Sequence, residues 1–472
     1  MRNKLGTFSE FTKALYPHEL DYLVSIQRFS KPENLKILNL VLYNSKNPLN
    51  PILYDSSIDK RTYSYLKNWI SETLDKVDVD KYYNWLLTIE QSVMSDSITA
   101  HEEDSLMEQI SIINSAHYNF IRFYQVLQHY RDYLLVRNRI RYFTHVSEYL
   151  ESYKKPYEKV QRLNNDMNNA AEHVIKQLTN NKDEYHRWEK LFKEIYYDSK
   201  LDGYTRYRAV VRLTILYYTN RDFEPLSEIY DHLDLHFKTD VFYSKRILAN
   251  YYHNRAMMHS KLKELEVAEK YGFLSIRQKN SDFLFYLVSL CNILLRKKNY
   301  TLALQLMSES MPELKKSNSF HGKIGYASFY IKTLLANNLA DRAESYATTY
   351  FESYKKEIFQ YRWHLFITIY IQALLATEKY SKIVSLSRRY KLVAKEKQFL
   401  GKAAYLPIIS WYTALAEYIE CTLSKDAFKD VVLNNAKPAM ETAYKSQRVF
   451  ELLGLLELSI PDIIKEIREE LK

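Results

Sequence analysis

The chain is 472 residues long, and 46% of its residues are hydrophobic while 26% are charged. This balance is typical of a globular protein with a sizeable core, so extended disorder is excluded. The formal net charge of +10 is mild for this length and permits an acidic partner, a nucleic acid or a membrane surface without requiring one.

Glycine is scarce, with seven residues in the chain and none between Gly6 and Gly203. Tight hairpin turns and phosphate-binding loops depend on glycine, because the backbone there adopts positive φ or approaches a ligand closely. Helices joined by short polar loops have no such requirement. The scarcity therefore predicts an all-α fold with strand content near zero, and it disfavours doubly wound folds.

Cysteine usage and hydropathy restrict the class of protein further. Cys291 and Cys421 both lie in apolar helical sequence, so neither a disulfide framework nor a thiolate metal site is expected. The N-terminus lacks the apolar region and cleavage site of a secretory signal, and no stretch approaches 18 uninterrupted apolar residues. We expect no membrane span and, by default, a cytoplasmic location.

The first part of the chain, residues 1–200, is predicted to be an N-terminal α-helical region. Apolar residues at spacings of three and four predict two amphipathic helices within 58–100. The segment from Glu102 to Lys155 contains neither proline nor glycine. It is predicted to form one long helix, or two helices joined near Ser115, which Pro156 ends or kinks.

The second half of the chain repeats a helical pattern. In residues 299–310, an aromatic residue is followed three positions later by a small residue at the start of a second helix. Each copy is preceded by another apolar helix, as in 282–295. The copies align at spacings of 42, 35, 40 and 40 residues, with equivalent positions at Leu226, Ala268, Ala303, Ala343 and Ile383.

This pattern resembles the tetratricopeptide repeat, in a variant with helices longer than the usual unit. The resemblance covers five helix pairs at about residues 204–400, and a sixth helix pair is expected at 402–453. It implies a right-handed α-solenoid of antiparallel helix pairs within a repeat domain at 204–472. The proline that usually closes each repeat is missing, and the superhelix pitch stays open. The consensus small-residue position of the first helix holds Thr214, Ala256, Cys291, Ile331 and Ile371.

The resemblance also implies a non-enzymatic interaction scaffold that binds a peptide or partner helix on its concave face. In the family, the first helix of each pair lines that face. Most of the residues that this register places there are hydrogen-bond donors, which suit an acidic or C-terminal peptide. They are Arg208, Asn250, His253, Asn292, Arg296, Lys332 and Gln372. The other interpretation is that each satisfies a neighbouring carbonyl group or faces solvent.

Nucleic-acid binding is the alternative function. Basic and aromatic residues alternate in 122–141 and 382–402, and such helices could hold a single strand by phosphate contacts and stacking. On one helix, Arg388, Lys391 and Lys395 would share a stripe. The competing interpretation is a solvated helix face. The candidate basic residues are Arg137, Arg141, Arg388, Lys391 and Lys395.

Motifs that would indicate catalysis are absent from the sequence, including GxSxG, HExxH, GxxxxGK[ST] and GxGxxG. His232 and His236 stand four residues apart, a spacing that can hold zinc, but no third ligand is evident nearby. We therefore expect no enzymatic activity, no metal and no cofactor. An activity in the first 200 residues is a third hypothesis without positive evidence.

Overall fold

The computed structural model describes residues 5–48, 50–176, 182–237, 241–398, 405–440 and 443–471. Within these ranges the regular elements are twenty-five α-helices and one 3-10 helix, and no strand occurs among them. The prediction of an all-α fold is confirmed. The chain divides into two compact units, Met1–Gln278 and Lys279–Lys472, and each is described by itself.

The first unit contains thirteen helices in its described part. Their bounds are α1 (Gly6–Lys13), α2 (Pro17–Ile26), α3 (Pro32–Lys46), α4 (Lys60–Val77), α5 (Val79–Met94), α6 (Ala100–Ile110), α7 (Phe120–Val136), α8 (Ile140–Lys176), α9 (Lys182–Tyr197), α10 (Gly203–Asn220), α11 (Phe223–His236), α12 (Lys245–Lys261) and α13 (Leu265–Ser275). Polar side chains cap several of these helices at their first free N–H groups, as Asp59, Thr99 and Asp202 do.

The long segment without proline or glycine breaks twice. The first break, between α6 and α7, includes Ser115, where a junction is predicted. The second lies at Asn138, which adopts a left-handed conformation that asparagine tolerates better than most residues. Pro156 lies inside α8, which continues to Lys176, so of the two predicted effects of this proline, an end or a kink of the helix, the helix end does not occur.

The second unit contains the remaining helices. Their bounds are α14 (Phe283–Arg296), α15 (Tyr300–Glu309), α16 (Met311–Lys316), α17 (Phe320–Ala336), α18 (Ala340–Tyr361), α19 (Trp363–Ala376), α20 (Tyr380–Tyr390), α21 (Leu392–Lys397), α22 (Ile408–Ile419), α23 (Lys425–Ala436), the 3-10 helix Lys437–Met440, α24 (Ala443–Glu457) and α25 (Pro461–Glu470). Here α14 packs on α17, α17 on α19, and α19 on α22.

One type of turn joins five helix pairs: α10–α11, α12–α13, α14–α15, α17–α18 and α19–α20. In each, a residue with φ between 55° and 67° stands two positions before the second helix begins. The next N–H group donates to a carbonyl five residues earlier in the first helix, at 2.9–3.0 Å, as in a Schellman motif. The left-handed residues are Arg221, Lys263, Lys298, Asn338 and Glu378.

The five positions that align between the copies of the sequence repeat all lie at the same distance along the chain from this turn. Each is the fourth residue of a second helix, and all five are completely buried, namely Leu226, Ala268, Ala303, Ala343 and Ile383. Seven residues before each left-handed residue, the first helix also contributes a buried side chain. These are Thr214, Ala256, Cys291, Ile331 and Ile371. Both helices of a pair therefore reach the core at fixed distances from their turn.

The same turn also occurs in the predicted N-terminal region. Asn138 has φ of 54°, Arg139 N–H donates to the Leu134 carbonyl at 3.0 Å, and α8 begins two residues after Asn138. Neither this turn nor the division of the chain into two compact units after Gln278 defines the residue at which a repeat array begins. The predicted boundary at 200–204 therefore stays a prediction.

In the parts of the chain that the structure describes, no helix combines the length and the apolar character needed to span a bilayer.

Candidate functional site

Three polar residues predicted to line a groove occupy one equivalent position in the second unit. Asn292, Lys332 and Gln372 each stand six residues before the left-handed residue of their pair. Because α14, α17 and α19 pack in succession, these side chains follow one another across the unit. All three are half-buried, and the residue before each is completely buried. We call these three residues the polar row.

Gln372 uses its amide to hold the next helix. Its Nε2 donates to the Tyr412 hydroxyl of α22 at 3.0 Å. Tyr412 is buried; burial raises the pKa of its hydroxyl, and the bond from Gln372 opposes the shift. In the non-functional interpretation, each polar residue satisfies a neighbouring carbonyl group or faces solvent. Gln372 forms a structural hydrogen bond of this kind, but its acceptor is a hydroxyl group.

Lys332, in the middle of the polar row, has no carboxylate partner among the described residues. Its Nζ lies 5.4 Å from the centre of the Phe329 ring on the same helix. Burial, followed by the nearby charge of Arg448, lowers the pKa of Lys332. A half-buried ammonium beside another cation would be stabilised by an anionic group.

Arg362 brings a second cation to the same helix. It stands at the start of α19, and its guanidinium lies against Gly325 of α17, in the place where a β-carbon would stand. Burial lowers the pKa of Arg362, and no carboxylate of the described chain pairs with it. Because Gly325, Phe329 and Lys332 are spaced by four and three residues, they lie on one face of α17. We call these three residues, with Arg362, the α17 face.

The remaining groove candidates are placed differently. Arg296 is exposed at the end of α14. Arg208, Asn250 and His253 belong to the first unit. Asn250 Oδ1 accepts hydrogen bonds from the Tyr207 hydroxyl and the Asn254 amide. His253 is only 5% exposed, so its ring is part of the packing rather than of an open surface.

In the first unit, Arg137 pairs with Asp96 at 2.9 Å, and Arg141 is exposed. Both arginines belong to the predicted basic surface.

The two histidines with zinc-like spacing also have protein neighbours. His232 Nδ1 lies 2.8 Å from the Tyr196 hydroxyl, and His236 Nε2 lies 3.4 Å from the guanidinium of Arg206.

Burial, followed by the charge of Arg206, lowers the pKa of both histidines, that of His236 to about 4. A guanidinium in this position opposes a bound cation. Across the described ranges, no three His, Cys, Asp or Glu side chains are grouped so that they could bind a metal ion.

In the second unit, the expectation that Arg388, Lys391 and Lys395 share a stripe on one helix is wrong. Lys391 has φ of 50° and separates α20 from α21. The chain turns there because α21 packs on α22. The buried carboxylate of Glu396, on α21, accepts hydrogen bonds from the backbone N–H groups of Ile409 and Ser410 in the first turn of α22.

The outer two residues of that expected stripe also have neighbours of their own. Arg388 pairs with Glu417 at 3.0 Å. Lys395 Nζ lies 4.3 Å from the centre of the Phe359 ring. The ion pair of Arg388 leaves less free positive charge for a nucleic acid than the sequence suggests.

Arg362 is the site residue that sequence reasoning missed. Arg362 immediately precedes α19, so it lies outside the helix positions from which the groove residues were predicted. Its contact with Gly325 also links two different helix pairs, α17–α18 and α19–α20. The available signal was Gly325 itself, because an isolated glycine inside a helical pattern marks a close approach by another group.

Comparison with known proteins found no match among family models, curated proteins or solved structures.

Proposed function

We propose that this chain is a non-enzymatic interaction scaffold that binds an acidic peptide segment on the α17 face. The observation that carries the proposal is the pair of half-buried cations, Lys332 and Arg362, which have no carboxylate partner among the described residues. Lys332 lies beside Phe329, and Arg362 lies against Gly325 of the same helix. Keeping such charges unpaired is unfavourable in the free protein, and peptide carboxylates would neutralise them.

The proposed architecture is a right-handed α-solenoid of antiparallel, tetratricopeptide-like helix pairs. The repeated turn, the buried position at the fourth residue of each second helix and the contacts between successive first helices support it. In such an array the first helices line the concave face, and the polar row lies on first helices.

The spacing of the two cations favours a short acidic motif. Gly325, where the Arg362 guanidinium rests, and Lys332 are seven residues apart on α17, about 10 Å along the helix axis. A peptide in the polyproline II conformation rises about 3.1 Å per residue and returns to the same side every third residue. Acids three positions apart would therefore lie about 9 Å apart on one side of the peptide and reach both cations. The half-buried amide of Asn292 in the polar row would hydrogen-bond the peptide backbone.

The experiment measures binding of fluorescein-labelled peptides by anisotropy, using full-length protein. Each peptide carries two glutamates separated by zero to four neutral residues. We expect tightest binding when the glutamates are three positions apart. The double variant Lys332→Gln/Arg362→Gln should bind about a hundredfold more weakly, since it removes two charge-assisted bonds that are each worth about 1.5 kcal/mol.

The matched control is Arg342→Gln/Lys356→Gln, which removes two exposed cations from α18 of the same unit. It should bind like the wild type, and neither double variant should melt below the wild-type temperature. Equal losses in both variants would indicate a general charge effect and contradict the proposal. A single-stranded oligonucleotide that binds more tightly than every peptide, and loses affinity when Arg137 and Arg141 are reversed, would favour the nucleic-acid alternative.

A further inference from the structure

A second group of cations, which have no carboxylate partner within the described ranges, lies on α10 in the first unit. Tyr204, Arg208 and Arg212 are spaced by four residues and share one face of this helix. The Arg208 guanidinium lies 5.7 Å from the centre of the Tyr204 ring. It donates to the side-chain amide oxygens of Asn164 and Asn168 on α8, the second at 2.6 Å. Neutral partners thus hold this guanidinium in place and leave its charge uncompensated.

Arg212 lies one helical turn beyond Arg208 and is half-buried. It forms neither a hydrogen bond nor an ion pair with any residue that the structure describes. Burial, followed by the charge of Arg208, lowers the pKa of Arg212. Two neighbouring guanidinium groups without a carboxylate repel one another, and an anion shared between them would replace that repulsion with attraction.

Tyr204 connects this arginine pair to a cavity of about 280 Å³. Tyr83 and Tyr118 also line the cavity, and Tyr83 and Tyr204 are both exposed enough to offer ring surface to a ligand. Asp80, the carboxylate among the described lining residues, accepts two bonds from Arg246, at 2.7 and 2.9 Å. Arg122, which also lines the cavity, pairs with Glu90. Both arginines of the cavity therefore have a carboxylate partner, whereas Arg208 and Arg212 have none among the described residues.

From this geometry we infer that α10 binds a small phosphate monoester that carries a planar ring, the class to which nucleoside monophosphates belong. The phosphate lies between the guanidinium groups of Arg208 and Arg212, whose planar N–H groups match its oxygen atoms. The ring stacks on Tyr204, on the side of the cavity. A volume of about 280 Å³ is at the lower end for small-molecule sites, which favours a ligand of this size over a larger cofactor.

Isothermal titration calorimetry on the full-length protein tests this inference with four probes: adenosine 5′-monophosphate, adenosine, inorganic phosphate, and a single-stranded dodecanucleotide. The monophosphate should bind about tenfold more tightly than adenosine or inorganic phosphate, because only it engages the arginines and the tyrosine together. Its affinity should fall as salt concentration rises.

Arg212→Gln is the decisive variant, because this side chain forms no bond within the described structure. It should weaken monophosphate binding about tenfold without lowering the melting temperature, whereas Arg212→Lys should retain part of the affinity. Tyr204→Leu should reduce the advantage of the monophosphate over inorganic phosphate, and Tyr204→Phe should preserve it. Arg61→Gln, an exposed arginine on α4 of the same unit, is the matched control and should bind normally.

The absence of monophosphate binding at millimolar concentration would overturn the inference. So would monophosphate binding that is equally tight in Arg212→Gln. A dodecanucleotide that binds far more tightly than the monophosphate and depends on Arg212 would identify a nucleic-acid surface instead of a small-ligand site. Because none of these residues belongs to the second unit, each of these outcomes leaves the acidic-peptide proposal to its own test.

Discussion

The guanidinium of Arg362 occupies the space beside Gly325 that a β-carbon would fill. The neighbour at this point is the end of a flexible side chain rather than backbone, so an added methyl group displaces the guanidinium and leaves the helix in place. Gly325 lies inside α17, where glycine is less favourable than alanine by about 1 kcal/mol. The glycine therefore lowers helix stability while it keeps a cation on the α17 face.

Gly325→Ala should consequently separate stability from binding. We expect the free energy of unfolding to stay the same or rise by up to about 1 kcal/mol, while affinity for the paired-glutamate peptide falls several-fold. Thermal melts and fluorescence anisotropy measure the two quantities. Gly322→Ala is the matched control, because a β-carbon there meets only Ser319, at 3.5 Å or more. A Gly325→Ala protein that is less stable but binds normally would show that the glycine serves packing alone.

The turn between α19 and α20 is strained at Glu378, which has φ of 55° and is exposed. Glycine adopts this conformation without a steric penalty, and a negative charge at the end of a helix opposes the helix dipole. Glu378→Gly should therefore stabilise the protein by about 1 kcal/mol relative to Glu378→Ala, which removes the same charge but keeps the strain. Urea denaturation of the two variants measures this difference, and equal stabilities would contradict the left-handed conformation.

Ala303 is completely buried on α15, which packs on α14 and α17. The Cys291 thiol of α14 donates to the carbonyl oxygen of Ala303 at 3.8 Å, so the two helices of the pair are in contact at this alanine. Ala303→Leu should overpack the contact and reduce the free energy of unfolding by about 1–3 kcal/mol. Thr301→Leu places the same side chain at an exposed position of the same helix and should change stability little. Identical melting temperatures for the two variants would count against the assigned register.

The sequence was sufficient to predict the helical class and the equivalent buried positions. Apolar residues at Leu226 and Ile383, and small ones at Ala303 and Ala343, recur because each second helix meets the core one turn after it begins. A local pattern of this kind can be detected in the amino-acid sequence alone. The turns were harder to locate, because their left-handed residues are arginine, lysine, asparagine and glutamate, whereas glycine is the usual signal.

The candidate sites depend on contacts that the sequence does not display. Arg362 and Gly325 are distant in sequence, as are Arg208 and its partner Asn164. Their placement follows from how helices pack, which periodicity alone does not specify. The same limitation explains why a continuous helix was expected around Lys391, where packing of α21 on α22 breaks it.

The pH dependence of stability provides a test of packing around His253. Burial lowers the pKa of this histidine to about 4, against an ordinary value of 6.5. Between these two values the unfolded chain binds a proton at this position and the folded chain does not. The free energy of unfolding should therefore fall as the pH is lowered from about 6.5 to 4, by about 3 kcal/mol in total from this group, and no further below that range.

Other groups titrate in the same range, among them His236, so the quantity to measure is the difference between wild type and His253→Gln. Urea denaturation at intervals between pH 7.5 and 4 should show that the wild type loses about 3 kcal/mol more than the variant, because glutamine cannot take up the proton. His145→Gln, at an exposed position of α8, should follow the wild-type curve. Parallel curves for wild type and His253→Gln would mean that the ring reaches water in the folded protein, and that α12 is packed less closely there than the structure describes.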